Sequence, residues 1–184
     1  MRIGLLGPAN AGKDTVADML CEAIPGLRKV AFADALYEEV SQAFGVSVAQ
    51  LRDRRTKEEP MAELVPLACR EAGFLPLLDD HAYSPREILE LWGTQYRRAQ
   101  QENYWVLRAL ETQPPVVHPD VRFLDELAIC DVAFVVRRPG FEVLREHESD
   151  QLWRQVDWLA VIENDSDIDA LREKVRQLVR EIRP

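Results

Sequence analysis

The stretch Gly-Pro-Ala-Asn-Ala-Gly-Lys-Asp-Thr, residues 7–15, lies between a short apolar run and an amphipathic helical pattern. Within it, Gly7 is followed after four residues by Gly12 and Lys13. This spacing lets backbone N–H groups converge on an anion, because glycine tolerates the positive φ angles that such a nest needs. The lysine would reach the terminal phosphates. The stretch therefore predicts a loop that binds the phosphates of a nucleotide.

The residues on either side of the loop have the patterns that a phosphate-binding loop requires. Residues 3–6 are apolar and predict a buried parallel strand, whereas apolar residues recur at helical spacing through residues 16–24. A helix that begins at the loop directs the positive end of its dipole at the phosphates. Contacts to the nucleotide are expected from Gly7, Asn10, Ala11, Gly12, Lys13, Asp14 and Thr15.

The residue after Lys13 is Asp14, whereas loops of this type usually have the Ser or Thr that binds Mg²⁺ at this position. Two assignments of the metal ligand follow from this difference. Either Asp14 contacts the metal, directly or through water, or Thr15 takes that role.

Composition narrows the class of protein. The chain has 184 residues, of which 47% are hydrophobic, and this is enough for a single domain with a sizeable core. The net charge of −9 argues against a protein that coats nucleic acid, because phosphate backbones are bound by an excess of Lys and Arg. The three cysteines form no Cys-x-x-Cys pair, and no apolar run reaches the length of a membrane span. We expect a cytoplasmic protein with a small-molecule substrate and no membrane partner.

Strand and helix patterns alternate through most of the chain. After the first strand, further strands are predicted at residues 27–32, 115–118, 132–136 and 159–162, and a helix ends the chain. This alternation predicts an α/β fold with a parallel sheet covered on both faces, within one domain that spans residues 1–184.

Residues 33–113 depart from this alternation, because nearly all of them have helical patterns. Helices are predicted over residues 33–44, 48–60 and 61–72. In such folds, insertions of this kind form one side of the substrate cleft and bind the second substrate, which is called the acceptor here. We therefore expect a helical acceptor-binding insertion.

A further helix within the insertion has three agreeing start signals. Ser84 is placed as its N-cap, Pro85 occupies the first helical position, and Glu87 closes a capping box.

A run of charged residues lies between residues 48 and 60 and contains Arg52, Arg54, Arg55 and Lys57. Such runs usually form a solvated face. A role in substrate binding is the alternative.

A second departure is the segment of residues 139–157, which is polar and has little apolar periodicity over residues 141–157. It follows Arg137 and Arg138 at the end of a predicted strand. We expect this segment to form a lid.

Several motifs resemble those of the phage-type deoxynucleoside monophosphate kinases, which belong to the P-loop kinases together with dephospho-coenzyme A kinase and adenylate kinase. The most specific are Gly-Lys-Asp-Thr-Val-Ala at residues 12–17 and Phe-Ala-Asp-Ala-Leu at residues 32–36. Residues 84–86, 92–94, 120–123 and 161–165 add to the resemblance, which extends over nearly the whole chain.

The resemblance implies a three-layer P-loop kinase fold with a Walker A loop for ATP, the helical insertion for the acceptor and a lid for closure. It implies ATP and Mg²⁺ as cofactors and transfer of the γ-phosphoryl group to a deoxynucleoside monophosphate. A phage-encoded enzyme of this kind would work in the host cytoplasm. It also implies that Asn164 lies near the adenine, with a helix cap as the alternative role.

The chain departs from the family at two places. Relatives commonly have Pro-Leu-Lys after the Asp of the second strand, whereas this chain has Ala35, Leu36 and Tyr37 after Asp34, so a cationic contact is missing. The strand that leads to Asp120 reads Val-Val-His-Pro, which is an unusual approach to that motif. Both departures weaken any assignment of the substrate.

The chemistry itself predicts a ring of arginines. Transfer to a phosphate oxygen needs positioning and charge neutralisation more than a strong base, because that oxygen is already anionic. Arginine forks bind phosphate oxygens bidentately, although a weak surface ion pair is the alternative for each. Arg122 and Arg138, each just beyond a predicted strand end, are placed at the catalytic centre with Lys13. The further candidates are Arg86, Arg97, Arg98 and Arg137.

Two carboxylates complete the predicted site. Asp120 lies near the carboxyl end of a strand, where open α/β sheets bind ligands, and is assigned to the metal and the substrate, with a turn-forming role as the alternative. Asp34 and Tyr37 are assigned to the acceptor. Asp34 is also a catalytic candidate, with a simple N-cap as its alternative role.

Two other functions remain open. The first is a kinase whose acceptor is a hydroxymethyl group on a modified pyrimidine of the 5-hydroxymethyluracil type, as a nucleotide or within DNA, for which Asp34 would be the general base. DNA is a partner under this alternative alone. The second is a P-loop nucleotide-binding switch, although the expected Gln and Asn-Lys-x-Asp series are missing. The oligomeric state stays open, with a homodimer as one option.

Overall fold

The structure is a computed structural model that describes residues 1–140, 152–156 and 159–182. Its strands form one sheet with the order β2-β3-β1-β4-β5, and every neighbouring pair is parallel. The strands are β1 (Arg2–Leu6), β2 (Arg28–Lys29), β3 (Val116–His118), β4 (Val132–Arg137) and β5 (Val161–Glu163). The α/β fold with a parallel sheet, predicted from the alternation of strands and helices, is confirmed.

Helices connect the strands, as parallel pairing requires. They are α1 (Lys13–Ala23), α2 (Phe32–Phe44), α3 (Val48–Arg52), α4 (Pro85–Glu90), α5 (Tyr104–Leu110), α6 (Leu124–Ala128), α7 (Leu152–Gln155) and α8 (Ile168–Ile182). Helix α4 continues into a π-helical segment, Leu91–Arg98. Among the described helices, none combines the length and the apolar character needed to cross a membrane.

The chain divides into two compact units. The first comprises Met1–Phe32 and Ala109–Pro184 and is called the sheet unit here, and the second, Ala33–Arg108, is called the helical unit. The sheet unit contains all five strands.

The core of the sheet unit lies between the sheet and helices α1 and α8. Ile3 and Leu5 of β1 are fully buried on this face and pack in one cluster with Leu20 of α1 and Val175 of α8. Burial of each such side chain stabilises the fold by about 1.5–3 kcal/mol. The buried strand and the apolar helix face that flank the loop therefore hold it in place.

The opposite face of the sheet contacts residues on both sides of α6. Alternation along β1 places Gly4 on this face, where an added Cβ would lie 2.8 Å from Cys130 Sγ and 3.2 Å from a methyl carbon of Val121. Glycine thus allows the close approach of these two side chains to the strand. Burial raises the pKa of the Cys130 thiol to about 12, so this cysteine is an unreactive core residue.

In the helical unit, the predicted capping box of α4 is confirmed. Ser84 Oγ accepts the backbone N–H of Glu87 at 3.3 Å, and Glu87 Oε2 accepts the N–H of Ser84 at 2.8 Å. Pro85 occupies the first turn. The helix that begins there buries Trp92 against Phe74, with ring centroids 4.6 Å apart.

Three predicted elements differ from the structure. The helix expected over residues 61–72 does not form, and a single 3₁₀ turn, Pro66–Ala68, replaces it because proline restricts the residue before it to extended angles. The polar helix expected over residues 48–60 ends at Arg52, after which Asp53 is extended. Strand β2 has two exposed edge residues instead of the predicted run over residues 27–32.

Candidate functional site

The loop after β1 has the conformation of an anion-binding nest. Gly7, Asn10 and Gly12 have φ angles of 138°, 63° and 101°. At Gly7 an added Cβ would lie 2.2 Å from the carbonyl oxygen of Val136, so no larger residue fits there. Helix α1 starts from Gly12 without a side-chain cap. The loop and the helix start therefore present backbone N–H groups to a ligand.

Lys13 folds back over this loop. Its Nζ donates hydrogen bonds to the carbonyl oxygens of Gly7 and Pro8, each at 2.8 Å. The ammonium group is therefore held beside the nest, where phosphate oxygens can replace carbonyl oxygens as its acceptors.

A depression opens from the loop, and Lys13 and Arg122 both line it. Arg122 is exposed, and its backbone N–H donates to Oε2 of the buried Glu126 at 2.8 Å. This bond fixes the turn beyond β3 from which the arginine extends. The remaining lining residues are Gly7, Ala9, Val121, Leu152 and Trp153.

Leu152 and Trp153 are site residues that the sequence analysis did not single out. They lie in α7, within the segment of residues 139–157 predicted to be a lid. They are two consecutive apolar residues between charged and polar neighbours, and this was the signal available in the sequence. Most of the predicted lid, residues 141–151 and 157, lies outside the described residues.

The candidate metal ligands at the start of α1 differ in their surroundings. The side chain of Asp14 is 70% exposed, and its Oδ1 lies 3.7 Å from Lys29 Nζ. Lys29 is bound more closely by Asp18, at 2.6 Å. Thr15 is half-buried. Both oxygen types suit Mg²⁺, which keeps several waters and uses few protein ligands together with substrate phosphates.

Within the described ranges, no cluster of three or more His, Cys, Asp or Glu side chains could hold a metal. The loop residues fit a cation that arrives with a nucleotide.

Asp120 lies two residues beyond β3 and is half-buried. Its Oδ1 accepts the backbone N–H of Phe32 at 2.9 Å. The carboxylate thus ties the end of β3 to the chain that follows β2. Its assignment to metal and substrate stays a prediction.

Asn164 lies in the turn after β5, and its side chain binds the phosphate-binding loop. Its Nδ2 donates to the carbonyl oxygen of Ala11 at 2.9 Å. A Cβ added to Gly12 would lie 2.6 Å from this Nδ2 atom. The alternative role as a helix cap is wrong, because Asp167 accepts the N–H of Ala170 at 2.9 Å and caps α8. The predicted contact with adenine stays a prediction.

Arg137 and Arg138 lie at the end of β4 and are exposed. The carbonyl oxygen of Arg137 accepts the N–H of Asn164 at 2.7 Å. The strand end that carries both arginines is thus joined to the residue that braces the loop.

In the helical unit, Asp34 and Tyr37 lie on α2 beside the charged run. Asp34 Oδ1 forms an ion pair with Arg52, whose guanidinium carbon lies 4.6 Å from the centroid of the Tyr37 ring. Lys57 Nζ donates to the hydroxyl of Tyr37 at 2.5 Å. Two cations of the charged run, for which substrate binding was the alternative role, therefore adjoin Tyr37, where the resemblance had left a cation missing.

The start of α4 adjoins the charged run, because the backbone N–H of Arg86 donates to the Lys57 carbonyl oxygen at 3.1 Å. Its Nε pairs with Glu58 at 2.5 Å. Arg52 and Lys57 contact Tyr37, and Arg52 is exposed whereas Lys57 is half-buried. The solvated face and the role in substrate binding both stay predictions for this run.

Arg97 belongs to a different cluster, centred on Glu39. Tyr37 and Glu39 are two residues apart on α2, which separates their side chains by about 160° around the helix. Arg97 Nε donates to Glu39 Oε2 at 2.7 Å. The structure therefore does not bring Arg97 together with Tyr37. Arg98 donates from Nη1 to the carbonyl oxygen of Glu102 at 3.0 Å.

The pKa values in the Glu39 cluster follow from burial and from this carboxylate. Burial alone would lower the pKa of Arg97, but the hydrogen bond and the charge of Glu39 outweigh it and raise that pKa. Burial and the bond to Glu39 both raise the pKa of the Tyr104 hydroxyl. Arg97 is thus cationic, and Tyr104 is a neutral donor.

No protein-family model and no curated protein sequence matches the chain. The fold is similar to that in the crystal structure of TT1252 from Thermus thermophilus, with a TM-score of 0.51 and 17% identity over 100% of this chain and 98% of that chain. A second similar structure is dephospho-CoA kinase from Campylobacter jejuni, with a TM-score of 0.41 and 14% identity over 98% and 96% of the two chains. The first likeness shows the fold alone, and the second is too distant to carry an argument.

Proposed function

We propose that the protein is an ATP-dependent kinase that transfers the γ-phosphoryl group of ATP to a (deoxy)nucleoside monophosphate and so forms the diphosphate. The observation that supports this most is the depression that Lys13 shares with Arg122 beside the nest of the loop. A nest with two adjacent cations suits the phosphates of a nucleotide.

The proposed division of labour follows from the charge of the reaction. Lys13 and the N–H groups of the loop hold the phosphates of ATP, whereas Arg122 contacts the transferred group and neutralises the charge that develops on it. Arg138 and Asn164 serve the same site from the ends of β4 and β5. Mg²⁺, held by Asp14 or Thr15 with Asp120 and the substrate phosphates, would neutralise charge on the phosphate oxygens.

The surroundings of Asp34 favour a phosphate over a hydroxyl as the acceptor. A hydroxyl acceptor needs a general base within hydrogen-bond reach of its proton. Asp34 instead forms an ion pair with Arg52, an arrangement that orients the arginine beside Tyr37. A carboxylate engaged in this way is poorly placed to take the proton of a hydroxyl acceptor.

The proposal also covers the setting of the reaction. The substrate is a small, free nucleotide, and the protein works in the cytoplasm. This follows from the resemblance to the phage-type kinases, because such enzymes act on free nucleotides in the host cytoplasm.

An acceptor screen tests this proposal. Purified protein is incubated with γ-labelled ATP, Mg²⁺ and, one at a time, the common ribo- and deoxynucleoside monophosphates, hydroxymethyl pyrimidine nucleotides and hydroxymethylated DNA. Labelled nucleoside diphosphate is the expected product. If hydroxymethyl acceptors alone become labelled, the acceptor is a hydroxyl and the proposal is wrong.

The variant Asp34→Asn makes the same distinction by kinetics. With a monophosphate acceptor, the substitution should mainly raise the acceptor KM, because the carboxylate positions Arg52. With a hydroxyl acceptor, it should lower kcat by about 10²–10⁴-fold, which is what general base catalysis supplies.

A further inference from the structure

We propose that Glu39 is a positioning residue that fixes Arg97 so that its two terminal nitrogens bind the phosphate of the acceptor. The proposal rests on the proposed function, because it concerns the acceptor of that reaction. It assigns a role to a carboxylate outside the predicted site.

Three donors converge on the Glu39 carboxylate. Trp92 Nε1 and Arg97 Nε both donate to Oε2, at 2.9 Å and 2.7 Å, and the Tyr104 hydroxyl donates to Oε1 at 2.5 Å. The side chain of Glu39 is only 15% exposed. A half-buried carboxylate with both oxygens engaged has little freedom to move, so it can act as a fixed support for the arginine.

The π-helical segment explains how two of these donors reach one oxygen. Trp92 and Arg97 are five residues apart, and in an α-helix this spacing would separate their side chains by about 140°. In the segment Leu91–Arg98 the π-helical repeat brings residues five apart to the same side. The irregularity therefore has a local consequence, since it places the indole and the guanidinium together on Glu39.

Aromatic rings hold the guanidinium from other directions. Its central carbon lies 4.7 Å from the ring centroid of Tyr96, 5.2 Å from that of Tyr104 and 5.4 Å from that of Trp92. These contacts favour a cation and restrict the rotation of its plane. The bond from Nε to Glu39 fixes one edge of the plane.

The opposite edge of the guanidinium is available. Among the described residues, the hydrogen bond of the Arg97 side chain is made by Nε and not by either Nη nitrogen, and the side chain is 20% exposed. Two parallel N–H donors at a fixed edge match two oxygens of a phosphate monoester.

The test compares Glu39→Gln with Glu38→Gln, because Glu38 is the exposed neighbour on the same helix. Glutamine keeps the shape of Glu39 but loses the charge that fixes the arginine. The acceptor KM, and the Kd of the same monophosphate measured by calorimetry, should rise about tenfold or more in Glu39→Gln, as expected when a charged hydrogen bond is weakened. The KM for ATP should change by less than about twofold, and Glu38→Gln should match the wild type in every constant.

A second arm uses Arg97→Lys, because lysine keeps the charge but cannot form the fork. If Glu39 acts through Arg97, Glu39→Gln should weaken acceptor binding little further in this background. Equal rises in both KM values, an unchanged acceptor Kd, or full additivity of the two substitutions would each overturn the proposal.

Where Glu39→Gln fails to fold, Tyr104→Phe removes one donor and keeps the ring, and it should weaken acceptor binding in the same direction without affecting ATP. Monophosphate binding that weakens in Glu39→Gln without any transfer by the wild type would remove the proposed function but keep this inference. A wild type that binds no monophosphate would overturn both.

Discussion

Lys13 gives the most specific prediction at the scale of single residues. Its ammonium donates to two carbonyl oxygens of the loop, which water can satisfy when the lysine is replaced. Lys13→Met should therefore leave the thermal unfolding midpoint nearly unchanged and reduce phosphate transfer to about a hundredth or less, the usual effect of removing one donor to a developing negative charge. A variant that keeps more than about a tenth of the wild-type rate would contradict the assignment.

Asp14 allows a test of the metal site. If its carboxylate helps to hold Mg²⁺, Asp14→Ala should raise the Mg²⁺ concentration needed for half-maximal activity far more than the KM for ATP. Asp18→Ala is the matched control, because it removes the closer partner of Lys29 one turn further along the same helix. Equal shifts of both constants in Asp14→Ala would instead indicate that the residue stabilises the loop.

At the scale of secondary-structure elements, two capping boxes can be compared. Ser84 caps α4 and is 3% exposed, whereas Ser47 caps the short α3 and is exposed. Ser84→Ala should lower the free energy of unfolding by about 1 kcal/mol or more. Ser47→Ala should cost less, because water can satisfy the N–H of Gln50. Urea unfolding of both variants measures the difference, and an equal or reversed order would contradict this reading of the buried cap.

The elements that were predicted correctly depend on local signals. The order strand, glycine loop and helix at β1 and α1, and the capping box at α4, are each encoded within a few consecutive residues. The helix expected over residues 61–72 failed because Pro66 interrupts an otherwise apolar pattern. Each of these elements is therefore determined by residues that are close together in the sequence.

The clusters in the helical unit depend on contacts between distant residues. Glu39 and Arg97 are 58 residues apart in the chain, and Lys57 is 20 residues from Tyr37. No sequence pattern predicted the π-helical segment that aligns Trp92 with Arg97. The sequence therefore identified Arg97 and Tyr37 as candidates but not the carboxylate and the cations that bind them.

At the scale of the whole molecule, the strand order also depends on contacts between distant residues and was not predicted from the sequence. Alternating patterns predicted a parallel sheet, but not that β3 lies between β1 and β2, where Val116 aligns with both Arg2 and Arg28. This order places His118 of β3 in the interior, fully buried. Its Nδ1 lies 2.7 Å from the Val30 carbonyl oxygen and its Nε2 lies 3.5 Å from Arg2 Nη1.

The buried His118 should make the stability of the sheet unit depend on pH. Burial, with the nearby charge of Arg2, lowers the pKa of His118 despite the bond to Val30, so the folded protein keeps it neutral where the unfolded chain binds a proton. The free energy of unfolding should therefore fall as the pH drops below about 6.5, the pKa of an unfolded histidine, with a slope of up to about 1.4 kcal/mol per pH unit.

Urea unfolding of the wild type and of His118→Asn between pH 5 and pH 8 isolates this effect, because the carboxylates titrate in both proteins. The wild type should lose more stability on acidification than the variant. Parallel pH profiles would show that His118 is not the group responsible.

The mass balance of a single reaction tests the central claim most directly. With the best monophosphate acceptor from the screen, ATP and Mg²⁺, the amounts of ADP and of new nucleoside diphosphate formed are followed together, with a parallel reaction that lacks the acceptor. Transfer predicts equal amounts of the two products and far slower ADP formation without acceptor. ADP formation at the same rate with and without acceptor, and no new diphosphate, would show that the site hydrolyses ATP and would contradict the proposed function.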